Sequence, residues 1–257
     1  MPGLLAVLEK AAVTPAAVDY MILTHIHLDH AGGTGTLLKN LPNATVVAHS
    51  RAKSHLIDPT KLWEASLKTL GDLAIKYGQI KLVPAERILV AGEDTKLRLG
   101  ENLELEVCLT PGHAAHHLSL FEKTSGMLFA GEAAGVCING YVRPATPAPF
   151  DLEATLASLD KLISLKPERI CYGHFSCYYD GLKRLKSYRD KLLRWHEIVY
   201  SQAKKRTSRE QIFAVMRGLD DDLNYLDMLD KDEYQREFRL IVNSIYGMAA
   251  LTRGKPV

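Results

Sequence analysis

The sequence predicts an α/β domain followed by a helical region, and three observations carry that expectation. An apolar, strand-like run ends at a segment dense in histidine and aspartate, the middle third breaks into short β-rich pieces, and the last third turns into long charged helical stretches. The division falls near residue 182, giving a first domain over 1–182 and a helical C-terminal region over 183–257.

Residues 4–12 read as a short amphipathic helix, and Thr14-Pro15 opens a further turn before the apolar run from Val18 to Leu23. Ala44 to Ala48 reads as a second strand. Lys61 to Tyr77 carries leucines and aromatics at helical spacing with charges between them, closed by Gly78. From Ile80 to Phe129 short strands are expected at Ile88-Leu89-Val90, Lys96 to Leu99, Leu103 to Leu109, Leu118 to Phe121 and Met127 to Phe129. Asp151 caps a helix whose apolar positions Leu152, Leu156, Leu159, Leu162 and Ile163 recur at three- and four-residue intervals, and Pro167 ends it. Ile170-Cys171-Tyr172 is one more strand. Farther on, Ser208-Arg209-Glu210-Gln211 matches a capping box ahead of Ile212 and Val215. The basic residues Lys183, Arg184, Lys186, Arg189, Lys191 and Arg194, and the acidic run Asp220-Asp221-Asp222, read as solvated surface.

Bulk properties narrow the function. With 257 residues, 47% of them hydrophobic, the chain buries a core without a disulfide or metal staple. A formal net charge of +2 gives no reason to expect a nucleic-acid or membrane-surface binder. Cys108, Cys137, Cys171 and Cys177 form no CxxC pair, which fits free thiols in a cytoplasmic protein. Met1-Pro2-Gly3-Leu4 lacks the basic start of a secretion signal, and no run reaches the roughly 18 apolar residues of a spanning helix. The expected partner is a small-molecule substrate, with a second copy of the chain as a further candidate.

Chemistry concentrates in Thr24-His25-Ile26-His27-Leu28-Asp29-His30-Ala31-Gly32-Gly33, directly after an apolar strand. Crowding imidazoles and a carboxylate at a strand end costs several kcal/mol of desolvation unless a cation repays it. The donors suit zinc and similar first-row ions. In an extended segment His25, His27 and Asp29 would share one side, and a turn at Asp29-His30 would carry His30 round to a second ion. Gly32 and Gly33 allow a tight turn into a helix beside the site.

Three later pieces repeat the pattern of a candidate ligand after an apolar strand and beside glycine. They are Leu109-Thr110-Pro111-Gly112-His113, Leu128-Phe129-Ala130-Gly131-Glu132 and Ile170-Cys171-Tyr172-Gly173-His174. The set resembles the metallo-β-lactamase superfamily over roughly residues 15–180: an HxHxDH segment, then TPGH, a strand-glycine-acid step and YGH, in that order. The resemblance implies a four-layer αββα sandwich with the metals at one edge of its paired sheets. It implies two divalent ions, zinc first, with iron or manganese as alternatives. His25, His27 and His113 would hold one ion, and Asp29, His30 and His174 the other, with Glu132 bridging. Two ions about 3.5–4 Å apart share a water, lower its pKa toward ~7 and make hydroxide available, with Asp29 orienting the nucleophile and aiding proton transfer.

Two departures from the family stand out. Glu132 occupies a position where the family usually has Asp, so its carboxylate is displaced by about a bond length in a shell tolerant to ~0.2 Å; bridging, single-ion and supporting roles all stay open. Only about two dozen residues precede His25, so N-terminal strands of the sandwich are expected to be missing. His116 and His117 are expected to pack or hydrogen-bond beside the site, His49 and His55 to be ordinary loop or helix residues, with His55-Leu56-Ile57-Asp58 an alternative lining of the cleft, and Pro144 to Pro149 to form a stiff loop over the cleft mouth. Tyr141, Arg143 and Tyr172 are candidate substrate contacts, although such tyrosines usually pack. The expected activity is hydrolysis of a small ester, thioester or lactone. The alternatives are a metal-binding sensor or interaction protein on the same fold, and a phosphodiester hydrolase.

Overall fold

The computed structural model describes residues 2–174 and 177–251. Two compact units make up the chain, one running to Thr95 and including His116–Leu118, the other formed by Lys96–Ala115 and by Ser119 onward.

The first unit contains α1 (Pro2–Lys10), β1 (Tyr20–Ile22), α2 (Leu28–Ala31), α3 (Thr34–Leu37), β2 (Thr45–His49), α4 (Lys53–Ile57), α5 (Thr60–Leu70), α6 (Asp72–Tyr77) and β3 (Ile88–Ala91). Its strands form a parallel sheet in the order β1-β2-β3, with Met21 opposite Val46 and Val47 opposite Leu89. A central parallel strand is covered on both faces and so reads as a continuous apolar run, which is what Val46, Val47 and Ala48 provide. Leu37, Leu38, Leu41 and Leu56 close the core around it. The single helix expected over Lys61 to Tyr77 is two helices, α5 and α6. Gly71 breaks them at φ 55° and ψ −127°, a conformation that needs a residue without Cβ.

The second unit contains β4 (Lys96–Arg98), β5 (Glu104–Leu109), β6 (Leu118–Glu122), β7 (Met127–Gly131), β8 (Val136–Ile138), β9 (Tyr141–Arg143), α7 (Leu152–Ser164), β10 (Arg169–Tyr172), β11 (Cys177–Tyr178), α8 (Gly181–Lys204), α9 (Arg209–Arg217) and α10 (Lys231–Ala250). Its sheet has the order β11-β10-β7-β6-β5-β4, with β10 parallel to β7, and β8 pairs with β9 in a separate ribbon. The side chain of Asp151 caps α7 by accepting from the Ala154 N–H at 3.0 Å, and Ser208 and Gln211 complete the capping box of α9. Leu128 and Ile170 of the sheet share one apolar core with Leu162 of α7, Trp195 of α8, Met216 of α9 and Ile245 of α10. The C-terminal helices are thus bound to this sheet by continuous burial, at roughly 25 cal/mol for each Å² of apolar surface removed from water.

Two surface expectations are corrected here. Lys191 and Asp220 are buried, not solvated. Lys191 Nζ donates to Asp220 Oδ1 at 3.3 Å, to the Val142 carbonyl at 2.9 Å and to Asp222, while Trp195 Nε1 donates to Asp220 Oδ2 at 2.7 Å. A buried charge persists only when it is paired in this way, and a run of like residues in the sequence does not reveal which member turns inward. The other basic residues behave as surface: Arg184 pairs with Asp180 and Arg189 with Asp160. Among the described residues no helix is long and apolar enough to cross a membrane.

Candidate metal centre

In the first unit the HxHxDH segment begins where β1 ends. The extended course stops earlier than alternation implies: His27 is the N-cap of α2, with φ −61° and ψ 152°, and Asp29 and His30 belong to the first helical turn. Asp29 thereby sits at a helix N-terminus, where the aligned peptide dipoles favour a carboxylate. His25 is buried at 1% exposure, and its ring lies 4.6 Å from that of His27 and 4.2 Å from that of His30, centroid to centroid. The Thr24 hydroxyl meets His25 Nδ1 at 3.1 Å and fixes the ring's orientation. Asp29 Oδ2 lies 3.6 Å from His30 Nε2.

His116 and His117 pack against this cluster, as expected. Their rings stack on His25 at 6.4 and 5.2 Å, the Ile26 N–H donates to His116 Nδ1 at 3.4 Å, and the Leu118 N–H donates to the Thr24 carbonyl at 2.8 Å. His49 is an ordinary capping residue whose Nδ1 accepts from the Arg51 N–H at 3.0 Å.

In the second unit three strand ends deliver His113, Glu132 and His174, following β5, β7 and β10. The approach to His113 is clamped by α7: Ser158 Oγ donates to the Pro111 carbonyl at 2.7 Å and Lys161 Nζ to the Leu109 carbonyl at 2.9 Å. Gly112, at φ 150°, lies so close to Thr155 that an added Cβ would meet its Cα at 2.9 Å. His113 Nδ1 lies 2.9 Å from the Ala145 carbonyl oxygen, which only accepts, so Nδ1 carries a hydrogen and, in the neutral ring, the lone pair is on Nε2. That nitrogen is 2.8 Å from Glu132 Oε2, and Glu132 Oε1 is 3.4 Å from His174 Nε2. An imidazole lone pair and a carboxylate, both nearly buried, approach this closely only with a cation, a proton or a metal ion, to reconcile them. Nitrogen and carboxylate oxygen donors of this kind fit zinc and other divalent first-row ions.

The carbonyl that orients His113 belongs to the Pro144–Pro149 stretch, and nothing in the sequence marks it. Ala145 and Thr146 of this loop are buried and pinned by α10. The Thr146 N–H donates to Ser244 Oγ at 3.2 Å, Thr146 Oγ1 donates to the Ser244 carbonyl at 3.0 Å, and Ser244 Oγ donates to the Pro144 carbonyl at 3.3 Å. Gly247 approaches the Thr146 carbonyl so closely that any Cβ would collide with it.

Of the neighbouring candidates for substrate contact, the two tyrosines pack, as such tyrosines usually do, and Arg143 is turned into the core. Arg143 is buried in an ion pair with Glu237 at 2.8 Å, Tyr225 donates to the same carboxylate at 2.8 Å, and the Tyr141 ring stacks on Tyr225 at 6.0 Å. Burial by itself pushes the Glu237 carboxyl up, but the Arg143 charge and the hydrogen bonds from Arg143 and Tyr225 outweigh it and hold the group below its ordinary value. Tyr172 is also buried, which pushes its phenol up.

Comparison with known proteins identifies the family of this fold. The metallo-beta-lactamase superfamily model matches residues 2–174. The metallo-beta-lactamase fold-containing protein ST1585 of Sulfurisphaera tokodaii is 35% identical over 161 residues, covering 61% of this chain and 60% of that protein. Its crystal structure aligns with a TM-score of 0.62 at 32% identity over 68% of each chain. A hydroxyacylglutathione hydrolase of Aeromonas hydrophila is 28% identical over 65% of this chain and 51% of its own length. An N-acyl homoserine lactonase of a Bacillus species is 28% identical over 65% of this chain and 60% of its own. The chain spans about half to two thirds of the length of these curated relatives. With a family match over most of its length and a solved relative sharing its architecture, the chain belongs to the metallo-beta-lactamase superfamily and has its α/β fold, with a helical C-terminal region.

Proposed function

We propose that this chain is a metal-dependent hydrolase of a small ester, thioester or lactone that uses two divalent ions, zinc in the first instance. In this reading His25, His27 and His113 would hold one ion, Asp29, His30 and His174 would hold the other, and Glu132 would serve as a ligand between them. The observation that carries it is the buried Glu132 carboxylate, one oxygen 2.8 Å from His113 Nε2 and the other 3.4 Å from His174 Nε2. A carboxylate with an imidazole nitrogen facing each oxygen has the surroundings of a bridging ligand, and the extra methylene of Glu does not keep either oxygen from its neighbour.

Divalent ions held by these residues would supply a water with its pKa lowered toward ~7 and a positive charge for the carbonyl oxygen under attack. Asp29, its side chain 35% exposed at the first turn of α2, orients the attacking water and accepts its proton. The Ala145 carbonyl keeps His113 in the tautomer that leaves Nε2 free of hydrogen. The four cysteines form no CxxC pair and are few for this length, which supports a cytoplasmic setting.

Elemental analysis of the purified chain, followed by a screen of acylated glutathiones, acyl homoserine lactones, simple esters and phosphodiesters, tests the proposal. Similarity to a hydroxyacylglutathione hydrolase and to an N-acyl homoserine lactonase makes the first two compound classes the ones to try first. We expect two metal equivalents and turnover of an acyl substrate that is lost on chelation and restored by zinc. Metal retention without turnover anywhere in the panel overturns the hydrolase reading in favour of a metal-binding sensor. Turnover of phosphodiesters alone overturns the acyl substrate class.

A further inference from the structure

β11 pairs antiparallel with β10 at the edge of the six-stranded sheet, and the register sets Cys171 directly opposite Cys177. Their sulfurs are 3.0 Å apart, and both are thiols. Opposed residues of an antiparallel ladder have Cα atoms about 4.5–5.5 Å apart, inside the roughly 4.4–6.8 Å span a disulfide requires, so the backbone need not move for a bridge to close. Cys177 is exposed and Cys171 is half-buried, so one sulfur of the pair is open to a reagent from solution. Between them in sequence lies His174, next to Glu132.

We propose that Cys171 and Cys177 form a redox-active dithiol pair that low-molecular-weight disulfides oxidise to an intrachain disulfide, tying together the two ends of the segment that carries His174. In the first step the Cys177 thiolate attacks one sulfur of the small disulfide. A Cys177–sulfur bond forms, the reagent's own sulfur–sulfur bond breaks, and one small thiolate leaves. In the second step Cys171 attacks the Cys177 sulfur, breaking the mixed disulfide; its proton passes through solvent to the small thiolate that is expelled. Two electrons pass from the pair to the reagent, and the new bond joins the two strands. Burial and the neighbouring Cys177 sulfur push the Cys171 thiol up to about 12, which agrees with Cys177 attacking first. The second step is intramolecular between groups already in contact, so closure outruns accumulation of the mixed disulfide. An exposed bridge of this kind is readily reduced again, so the pair reports the thiol–disulfide balance of its surroundings. The chemistry of the pair stands apart from the proposed hydrolase; only its consequence for His174 rests on that reading.

The test uses the full chain, reduced and then equilibrated with graded ratios of reduced to oxidised glutathione, quenched by alkylation and digested with trypsin. Cleavage after Arg169 and Lys183 leaves both cysteines on one peptide, residues 170–183. We expect that peptide to lose two hydrogen masses and both alkylation sites together as oxidised glutathione rises, and to regain them on return to reduced glutathione. C171S blocks the second step, so glutathione should accumulate on Cys177 in that variant and not in the native chain. Glutathione on Cys177 of the native chain without closure overturns the proposal. So does retention of both alkylation sites at ratios that oxidise a small dithiol control. Neither readout depends on metal or turnover, so failure of the hydrolase proposal leaves this result interpretable.

Discussion

The ligand candidates of the two units are built in opposite ways. His25, His27, Asp29 and His30 fall within six positions, and local geometry alone, the end of β1 and the first turn of α2, sets their spacing. His113, Glu132 and His174 are scattered over some sixty positions and meet only because β5, β7 and β10 lie in one sheet with the right register. Local geometry tolerates change elsewhere in the molecule, whereas a set assembled by long-range pairing inherits the stability of everything that holds the strands and loops in place. In the second unit that includes α10, which holds the loop whose Ala145 carbonyl faces His113.

The largest effect should come from within the contiguous set. H27A and D29A, each removing a donor that no neighbour replaces, should lower metal content and reduce turnover on the order of 100-fold or more while leaving the melting temperature of the metal-free chain little changed. Metal analysis and thermal melts of apo protein check this. Full metal content and full hydrolysis in either variant would remove that residue from the site.

E237A should act in the opposite manner. Arg143 and Glu237 are both buried, and deleting the carboxylate strands a guanidinium in the core, at a cost of about 3–5 kcal/mol seen in the denaturant midpoint. The pH dependence has a definite sign. Glu237 is held below the ordinary carboxylate value of about 4.3, so its contribution is complete above that value and is lost as pH falls below it through the lowered folded-state value. E237Q should therefore flatten the acid limb of the stability profile. An acid limb identical to that of the native chain would show that Glu237 does not titrate in this way.

This contrast also marks what the sequence reveals. The first set was legible because four donors in six positions have no ordinary structural use. His113, Glu132 and His174 were legible because glycine beside a ligand after an apolar strand recurs three times. The Ala145 carbonyl was not, since every residue carries one and only the fold selects which is aimed at a histidine. Arg143 was read as a substrate contact because its partner, Glu237, is 94 residues away in sequence. The same holds for Lys191, whose inward turn depends on Asp220, 29 residues on. The break at Gly71 escaped because amphipathic spacing continues through it, while the backbone conformation that interrupts the helix is local to one residue.

G247A probes the link between the two kinds of construction directly. A methyl group there collides with the Thr146 carbonyl and must displace the loop that carries Ala145. We expect roughly 1–3 kcal/mol of destabilisation from overpacking. We also expect metal affinity to fall about 10-fold or more, because the orientation of His113 is disturbed. Isothermal titration of apo protein with zinc separates the two effects; a variant destabilised to that extent but binding zinc as tightly as the native chain would show that the loop does not orient the ligand.

The smallest effect supplies the necessary control. S208A removes the Oγ that accepts from the Gln211 N–H at the start of α9 and should cost about 1 kcal/mol, a shift of roughly 2–4 °C in melting temperature for a chain of this size. Ser208 is exposed and is hydrogen-bonded to Gln211 rather than to the Pro144–Pro149 loop. Zinc affinity should therefore be unchanged in S208A. If weakening α9 lowered zinc affinity in proportion to stability, the G247A result would reflect general loosening of the helices, and the specific route through Thr146 and Ala145 would have to be given up.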